Sequence, residues 1–246
     1  MRFFCNNVSF IRKIIMIVLI IIIIIMLMFT RCSLRYKKVF NDNEMKEFII
    51  QKGSNNEKVV SFACNVDWGN ENIDEMLNLF DRYGVKITFF PTGRWAHEYP
   101  GIAKKMREHG HEIGNNGYYN KAYNTLSYEQ AFGDIKSADR VIKDVTDYDV
   151  KLFSPPSGLY NNNVIKAAIS LGYPGIVIPS IDTMDWKKNT SSGVIYKNIF
   201  DKLDRCDIIL IHPTKSTVEA LDDVIEELLE EQYKIVIISE MLKKQQ

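Results

Sequence analysis

Two aspartates three residues apart, Asp182 and Asp185, and the histidine of "LIHP", His212, have the plainest capacity for proton transfer in this sequence. A carboxylate takes a proton and an imidazole returns one near neutral pH. A further acid, Asp67, stands in "ACNVDWGNE" after an apolar run. Residues 110–124 read "GHEIGNNGYYNKAYN", with Asn116 and Asn120 four apart. Many hydrolases place two metal-binding histidines at that spacing. An amide nitrogen is no zinc ligand and an amide oxygen is a weak, neutral one. Amides and rings together (Asn115, Asn116, Asn120, Tyr118, Tyr119, Trp68 and Trp186) instead suit sugar hydroxyls and the apolar faces of sugar rings. The competing reading of "NNGYYN" is a solvated turn with Gly117 at positive φ. His97, His109 and His111 read as a surface position, a helix C-terminal turn and a core-edge strand residue.

These residues must be held by regular elements. From about Lys58 apolar runs alternate with amphipathic ones. "KVVSFACNV", "VKITFF", "KLFSPP", "PGIVIPSID", "DIILIH" and "YKIVIIS" read as strands. "NIDEMLNLFDRYG" reads as a helix with Ile73, Met76, Leu77 and Phe80 on one face, stopped by Gly84. "YPGIAKKMREHG", "LSYEQAFGDIKSADRVIKDVT" with Ser127 as N-cap, "NNNVIKAAISLGY", "SSGVIYKNIFDKL" and "VEALDDVIEELLEEQ" follow as helices. Solidly apolar strands alternating with helices indicate a parallel sheet covered by helices, as a barrel or a doubly wound sheet. The polar residues of interest fall at the C-terminal ends of the strands, where such folds build their sites.

The N-terminus differs. After a short tail, residues 1–13, "IIMIVLIIIIIIMLMFT" (14–30) carries no charge, Gly or Pro. At 1.5 Å per residue it reaches roughly 25 Å, enough for a short membrane span. No small-residue cleavage pattern follows, so an uncleaved signal anchor is expected, with 31–57 as a polar juxtamembrane linker. The flanking charges leave its orientation open. Residues 1–38 hold seven Lys/Arg and no acid, leaving 24 basic against 31 acidic residues in the rest, a net of −7. That acidic body argues against nucleic acid as a partner. Cys5, Cys32, Cys64 and Cys206 lack zinc-ligand or redox spacing. Cys64 and Cys206 read as buried small hydrophobes.

The ordered set "TFF-x-x-G-x-W", "GHEIG", "F-x-PP-x-G", "D-x-x-DW" and "L-x-HP" resembles the polysaccharide deacetylases, the NodB-homology domain or carbohydrate esterase family 4, with the look of the sporulation-associated branch. The resemblance covers 58–242. It implies a distorted (β/α) barrel in which a divalent metal, usually zinc, activates water against the acetamide of an N-acetylated sugar. It also implies losses. The family's adjacent base and metal aspartates correspond to Asn65 and Val66, with Asp67 next as a possible stand-in on the same side of an extended strand. Its two metal histidines correspond to Asn116 and Asn120, and its base-orienting arginine to Ser154. Asp182, Asp185, Trp186 and His212 match the family pattern. The expectation is a membrane-anchored, extracytoplasmic pseudo-enzyme without zinc, with cell-wall glycan as a possible ligand through Trp68, Trp186, Asn116, Asn120 and Tyr118. The alternative is an active N-deacetylase with a non-standard site, His212 as acid and an aspartate as base.

Overall fold

Eight residues of near-continuous apolar character, Val59–Val66, form the central strand of this protein, and all eight are buried. A strand hidden on both faces is what a sheet covered by helices requires. The computed structural model describes residues 15–24, 26–27, 45–53 and 57–243. The chain divides into two units, 1–42 and 43–246. In the first, residues 15–24 and 26–27 are helical, with their apolar side chains exposed. Among the described residues no helix is long and apolar enough to cross a membrane. The expected 14–30 span extends into residues outside the described ones.

The second unit alternates strands and helices. Its strands are β1 (Ile49–Ile50), β2 (Val59–Val66), β3 (Thr88–Pro91), β4 (Glu112–Ile113), β5 (Ile176–Val177), β6 (Ile181–Asp182), β7 (Asp207–Ile211) and β8 (Lys234–Ile235). Its helices are α1 (Asn70–Arg82), α2 (Gly93–Glu98), α3 (Pro100–Glu108), α4 (Tyr128–Thr146), α5 (Asn162–Ser170), α6 (Ser192–Phe200), α7 (Lys215–Glu230) and α8 (Ile238–Met241). The main sheet runs β4-β3-β2-β7-β6, with β8 joining β2, and every strand pair is parallel. Single parallel bridges, Asn115–Phe153 and Phe153–Ile176, carry the pairing on to β5, which pairs with β1. An antiparallel bridge from Lys52 to Asp207 returns it to β7. Hydrogen-bonded pairing therefore runs around a distorted ring.

This closure moves the domain boundary. The stretch taken as linker to residue 57 contains β1, and the unit begins at Asn43. Asp207, 1 % exposed, fixes the seam: it takes Lys52 Nζ at 2.9 Å, Ser180 Oγ at 2.7 Å and the Asp204 N–H at 2.7 Å. Three other elements are shorter than expected. "KLFSPP" keeps only the two bridges at Phe153, "PGIVIPSID" splits into β5 and β6, and "YKIVIIS" gives a two-residue strand before α8.

The helices obey their end signals. Ser127 caps α4 with a full capping box to Gln130, and Gly84 follows α1 at φ 65°. Ile73, Met76, Leu77 and Phe80 are all buried, as their spacing requires. Cys64 and Cys206 are buried thiols, neither in a disulfide among the described residues. Burial pushes the Cys64 thiol well above its usual value. Both side chains are shut off from solvent, so both cysteines are expected to label slowly with a thiol reagent until the chain unfolds; rapid native labelling would contradict their placement.

His111 lies deeper than a core edge. It is fully buried between the edges of Phe80 and Phe89, and its Nδ1 accepts the Ile87 N–H at 3.1 Å. Its Nε2 has no hydrogen-bond partner. Burial, then the Lys86 charge, lowers its pKa from 6.5 to about 3. The unfolded chain thus gains a proton below pH 6.5 that the folded chain refuses until about pH 3. This group's contribution is full above pH 6.5 and falls with acidification by up to about 1.4 kcal/mol per pH unit. His111→Asn, which keeps an acceptor for Ile87, is expected to flatten the fall in urea-unfolding free energy between neutral pH and pH 5. Equal slopes for the two proteins would show that His111 titrates normally.

Candidate functional site

The C-terminal ends of the parallel strands open into a cavity of about 410 Å³. Asn65 comes from the C-terminal end of β2, and Asp67 and Trp68 from the loop after it. Asn116 and Asn120 come from the loop after β4, Pro156 and Ser157 from the segment after Phe153. Asp182 ends β6, Trp186 follows it, Leu210 lies in β7 and His212 follows that strand. Eight residues singled out from the sequence (Asn65, Asp67, Trp68, Asn116, Asn120, Asp182, Trp186 and His212) therefore line one cavity.

The acid–base pair is assembled. Asp185, with no side-chain exposure, sets Oδ1 2.7 Å from His212 Nδ1, and its Oδ2 accepts the His212 N–H at 2.6 Å and Thr217 Oγ1 at 2.7 Å. A buried carboxylate on Nδ1 fixes the tautomer and leaves Nε2 for the cavity. Trp68 stacks on the imidazole, centroids 5.7 Å apart and planes 6° apart. Gly69 makes that stacking possible. It sits at φ 76°, and a Cβ there would meet the Pro213 carbonyl oxygen at 2.2 Å. Asp182 is tied locally, accepting the Met184 N–H at 2.8 Å and Trp186 Nε1 at 3.3 Å.

The positions where the family resemblance implies a metal are differently employed. Val66 is fully buried in the main apolar cluster and does not line the cavity. Asn116, 3 % exposed, donates its Nδ2 to the Ser154 carbonyl at 2.7 Å. Asn120 is exposed at the rim. Asp67, one residue past the end of β2, lines the cavity on the same side as Asn65, as strand alternation predicts, but its carboxylate is engaged. Its Oδ1 takes both Arg94 Nη2 and Thr92 Oγ1 at 2.7 Å. Among the described residues no group of three or more His, Cys, Asp or Glu side chains could hold a metal ion. The donor set does not fit zinc. Ser154 supplies no cation, and Asn65, 8 % exposed, has an Oδ1 without a hydrogen-bond donor.

The tyrosine-rich loop is also employed differently. Tyr118 is half-buried against the core and Tyr119 and does not line the cavity, which corrects its expected sugar contact. Asn115 is fully buried, donating to the Ile135 carbonyl and bonding Asp139 and Tyr173. The loop is no solvated turn. Asp134, 8 % exposed on α4, takes the Tyr118 N–H at 2.7 Å, Tyr123 Oη at 2.7 Å and Lys121 Nζ at 2.8 Å. Gly117 is at φ 78° as expected, and a Cβ there would strike Tyr123 Oη at 2.1 Å. Asp134 escaped the sequence reading. Its only signal is an acid flanked by Ala131, Ile135 and Ala138 on the buried side of α4. Of the other histidines, His97 is exposed on α2 and His109 caps α3 beside Asp81, 2.5 Å away.

Comparison with known proteins now bears on this arrangement. The polysaccharide deacetylase profile matches residues 52–176, about half of the chain. This chain belongs to the polysaccharide deacetylase family. It is 32% identical over 193 residues to YlxY of Bacillus subtilis, covering 78% of this chain and 60% of that one. It is 27% identical over 194 residues to the peptidoglycan-N-acetylmuramic acid deacetylase PdaA of the same organism, covering 77% and 73%. It thus spans three fifths of the first of these relatives. Among solved structures, a CE4 family pseudoenzyme from Bacillus anthracis superposes with a TM-score of 0.78 at 34% identity, covering 82% of this chain and 71% of that one. A mutant of that pseudoenzyme is described as having restored enzymatic activity. The deacetylase match starts at residue 52, inside the seam segment, in agreement with the barrel closure.

Proposed function

We propose that this protein is a catalytically degenerate polysaccharide deacetylase of the cell wall, anchored to the membrane by its N-terminal apolar segment, with its domain outside the cell and no zinc in its cavity. The observation that carries this reading is the hydrogen bond from Asn116 Nδ2 to the Ser154 carbonyl. The side chain at a family metal position is a buried amide satisfied by the backbone. Two more family positions agree: Val66 is core, and Asn65 cannot take a proton. Losing a general base alone costs about 10²–10⁴-fold in rate, and losing the metal removes both water activation and carbonyl polarisation. The cavity supports glycan binding, because Trp68 and Trp186 are 42% and 51% exposed at its wall beside Asn116 and Asn120. The peptidoglycan deacetylases among its relatives point to a cell-wall glycan as the ligand.

The test is metal-dependent acetate release from peptidoglycan or N-acetylglucosamine oligomers by the full chain. None above the buffer rate is expected, while the same oligomers give a measurable binding isotherm that weakens at least tenfold in Trp186→Ala. Zinc-stimulated acetate release would overturn the reading.

One observation favours a second reading, an active enzyme. The Asp185–His212 pair is complete, its outer nitrogen free for the cavity. A metal-independent hydrolase built on it would show a bell-shaped pH–rate profile and lose it in His212→Ala.

A further inference from the structure

We propose that the cavity selects the free amine of a de-N-acetylated amino sugar, held as its ammonium, over the acetamide of the acetylated sugar. The inference rests on the glycan reading above and goes further by naming the group that is read.

Among the described residues the cavity wall contains two carboxylates, Asp67 and Asp182, and no lysine or arginine. Of the cations beside it, Arg94 is engaged by Asp67 and Glu98 and Lys187 stands over the Trp186 ring. Asp182 accepts one backbone N–H and one long indole contact, so half of a carboxylate's roughly four acceptor positions stay open. Asn65 supplies an independent sign. It lies at the end of β2 in the cavity wall, more than nine-tenths buried, and its Oδ1 meets no donor. A buried acceptor without a donor is a cost that native structures rarely leave standing. A half-turn of the terminal amide exchanges its oxygen and nitrogen and offers that acceptor to the cavity.

The two candidate groups differ in what they ask of such a wall. An acetamide brings one N–H and a carbonyl oxygen that needs a donor or a cation. Asn116 has committed one N–H to Ser154, and among the described residues no lysine or arginine lines the cavity. An ammonium brings three donors and needs only acceptors. The indoles favour it as well, since a tryptophan face attracts an alkylammonium. Lys187 already rests its own ammonium 5.4 Å from the Trp186 centroid. The site would thus be matched to the glycan that an N-deacetylase leaves behind, not to the one it consumes.

The experiment is calorimetric titration of the full-length chain in detergent, at mildly acidic pH, with fully N-acetylated and fully de-N-acetylated glucosamine tetramers. The amine form is expected to bind about tenfold more tightly or better, roughly 1.4 kcal/mol. Asp182→Asn, which keeps an acceptor for Met184, is expected to erase that preference, and Asn65→Asp to increase it; circular dichroism checks that both variants fold. Equal or tighter binding of the acetylated tetramer overturns the amine inference and leaves the glycan reading standing. No binding of either tetramer overturns both. An amine preference unchanged in both variants would locate it on the acidic surface and overturn the assignment to this cavity.

Discussion

Zinc uptake and acetate release are expected to appear together when four side chains are changed at once: Asn65→Asp, Val66→Asp, Asn116→His and Asn120→His. An aspartate and two histidines give zinc three protein ligands and leave a fourth position for water, the arrangement of a catalytic site. The aspartate at 65 then supplies a base. The strands that carry these positions are already in register, with Asn65 opposite Phe90 and the Asn116 N–H bonded to the Pro91 carbonyl. The order of the changes matters. Val66 is fully buried among apolar side chains. Val66→Asp alone is expected to destabilise the domain by about 3 kcal/mol or more, because a carboxyl group there has no partner. Adding the two histidines and zinc should recover that loss, since a metal that binds only the folded state stabilises it. Thermal melts with and without zinc, metal stoichiometry and acetate release follow the series. Metal-independent melting of the four-site variant would show that the side chain at 66 cannot turn to the cavity. One zinc held tightly by the wild type would show that the donor positions are wrongly assigned. Activity should remain low until Ser154→Arg is added, because the side chain at 65 has no cation beside it.

Removing the Asp134 carboxylate is expected to have the second largest effect. Asp134→Ala leaves the Tyr118 N–H, the Tyr123 hydroxyl and Lys121 without their shared acceptor. Leaving a buried donor without its acceptor costs about 1–3 kcal/mol, and the half-exposed Lys121 adds little. The loop that carries Asn116 and Asn120 then loses one of its two anchors to α4, the other being Asn115 on Ile135 and Asp139, so the effect should reach glycan binding as well as stability. Asp134→Asn keeps an oxygen and should recover part of both. A loss of stability with an unchanged glycan affinity would separate the loop's anchor from its function. The readouts are urea unfolding, the oligomer isotherm and protease cutting within residues 117–121, which should accelerate.

Much of this was legible before any coordinates. The α1 face of Ile73, Met76, Leu77 and Phe80 followed from helical spacing, and Ser127 as N-cap marked the start of α4 to the residue. The cavity followed from strand ends alone, because parallel strands deliver their C-terminal residues to one side. What was missed is long-range. β1 is two residues in a polar stretch, with no pattern of its own, and exists because β5 lies beside it. Asp134 looked like one more helix charge, since burial on the inner side of α4 depends on a loop that packs over it. Tyr118 was grouped with Asn116 and Asn120 by nearness in sequence. Gly117 turns the chain between them, and the ring falls against the core.

The seam at β1 has a consequence for how the domain is handled. The stave supplied by residues 49–53 is joined to β5 by parallel pairing and to β7 through Lys52 and Gly53, which donates to the Cys206 carbonyl. A fragment begun at residue 58, where the apolar alternation sets in, would leave β5 with a row of unpaired backbone groups and Asp207 without its lysine. Bare strand edges recruit other chains. Such a fragment would aggregate through an opened barrel, and its failure would be misread as instability of the core.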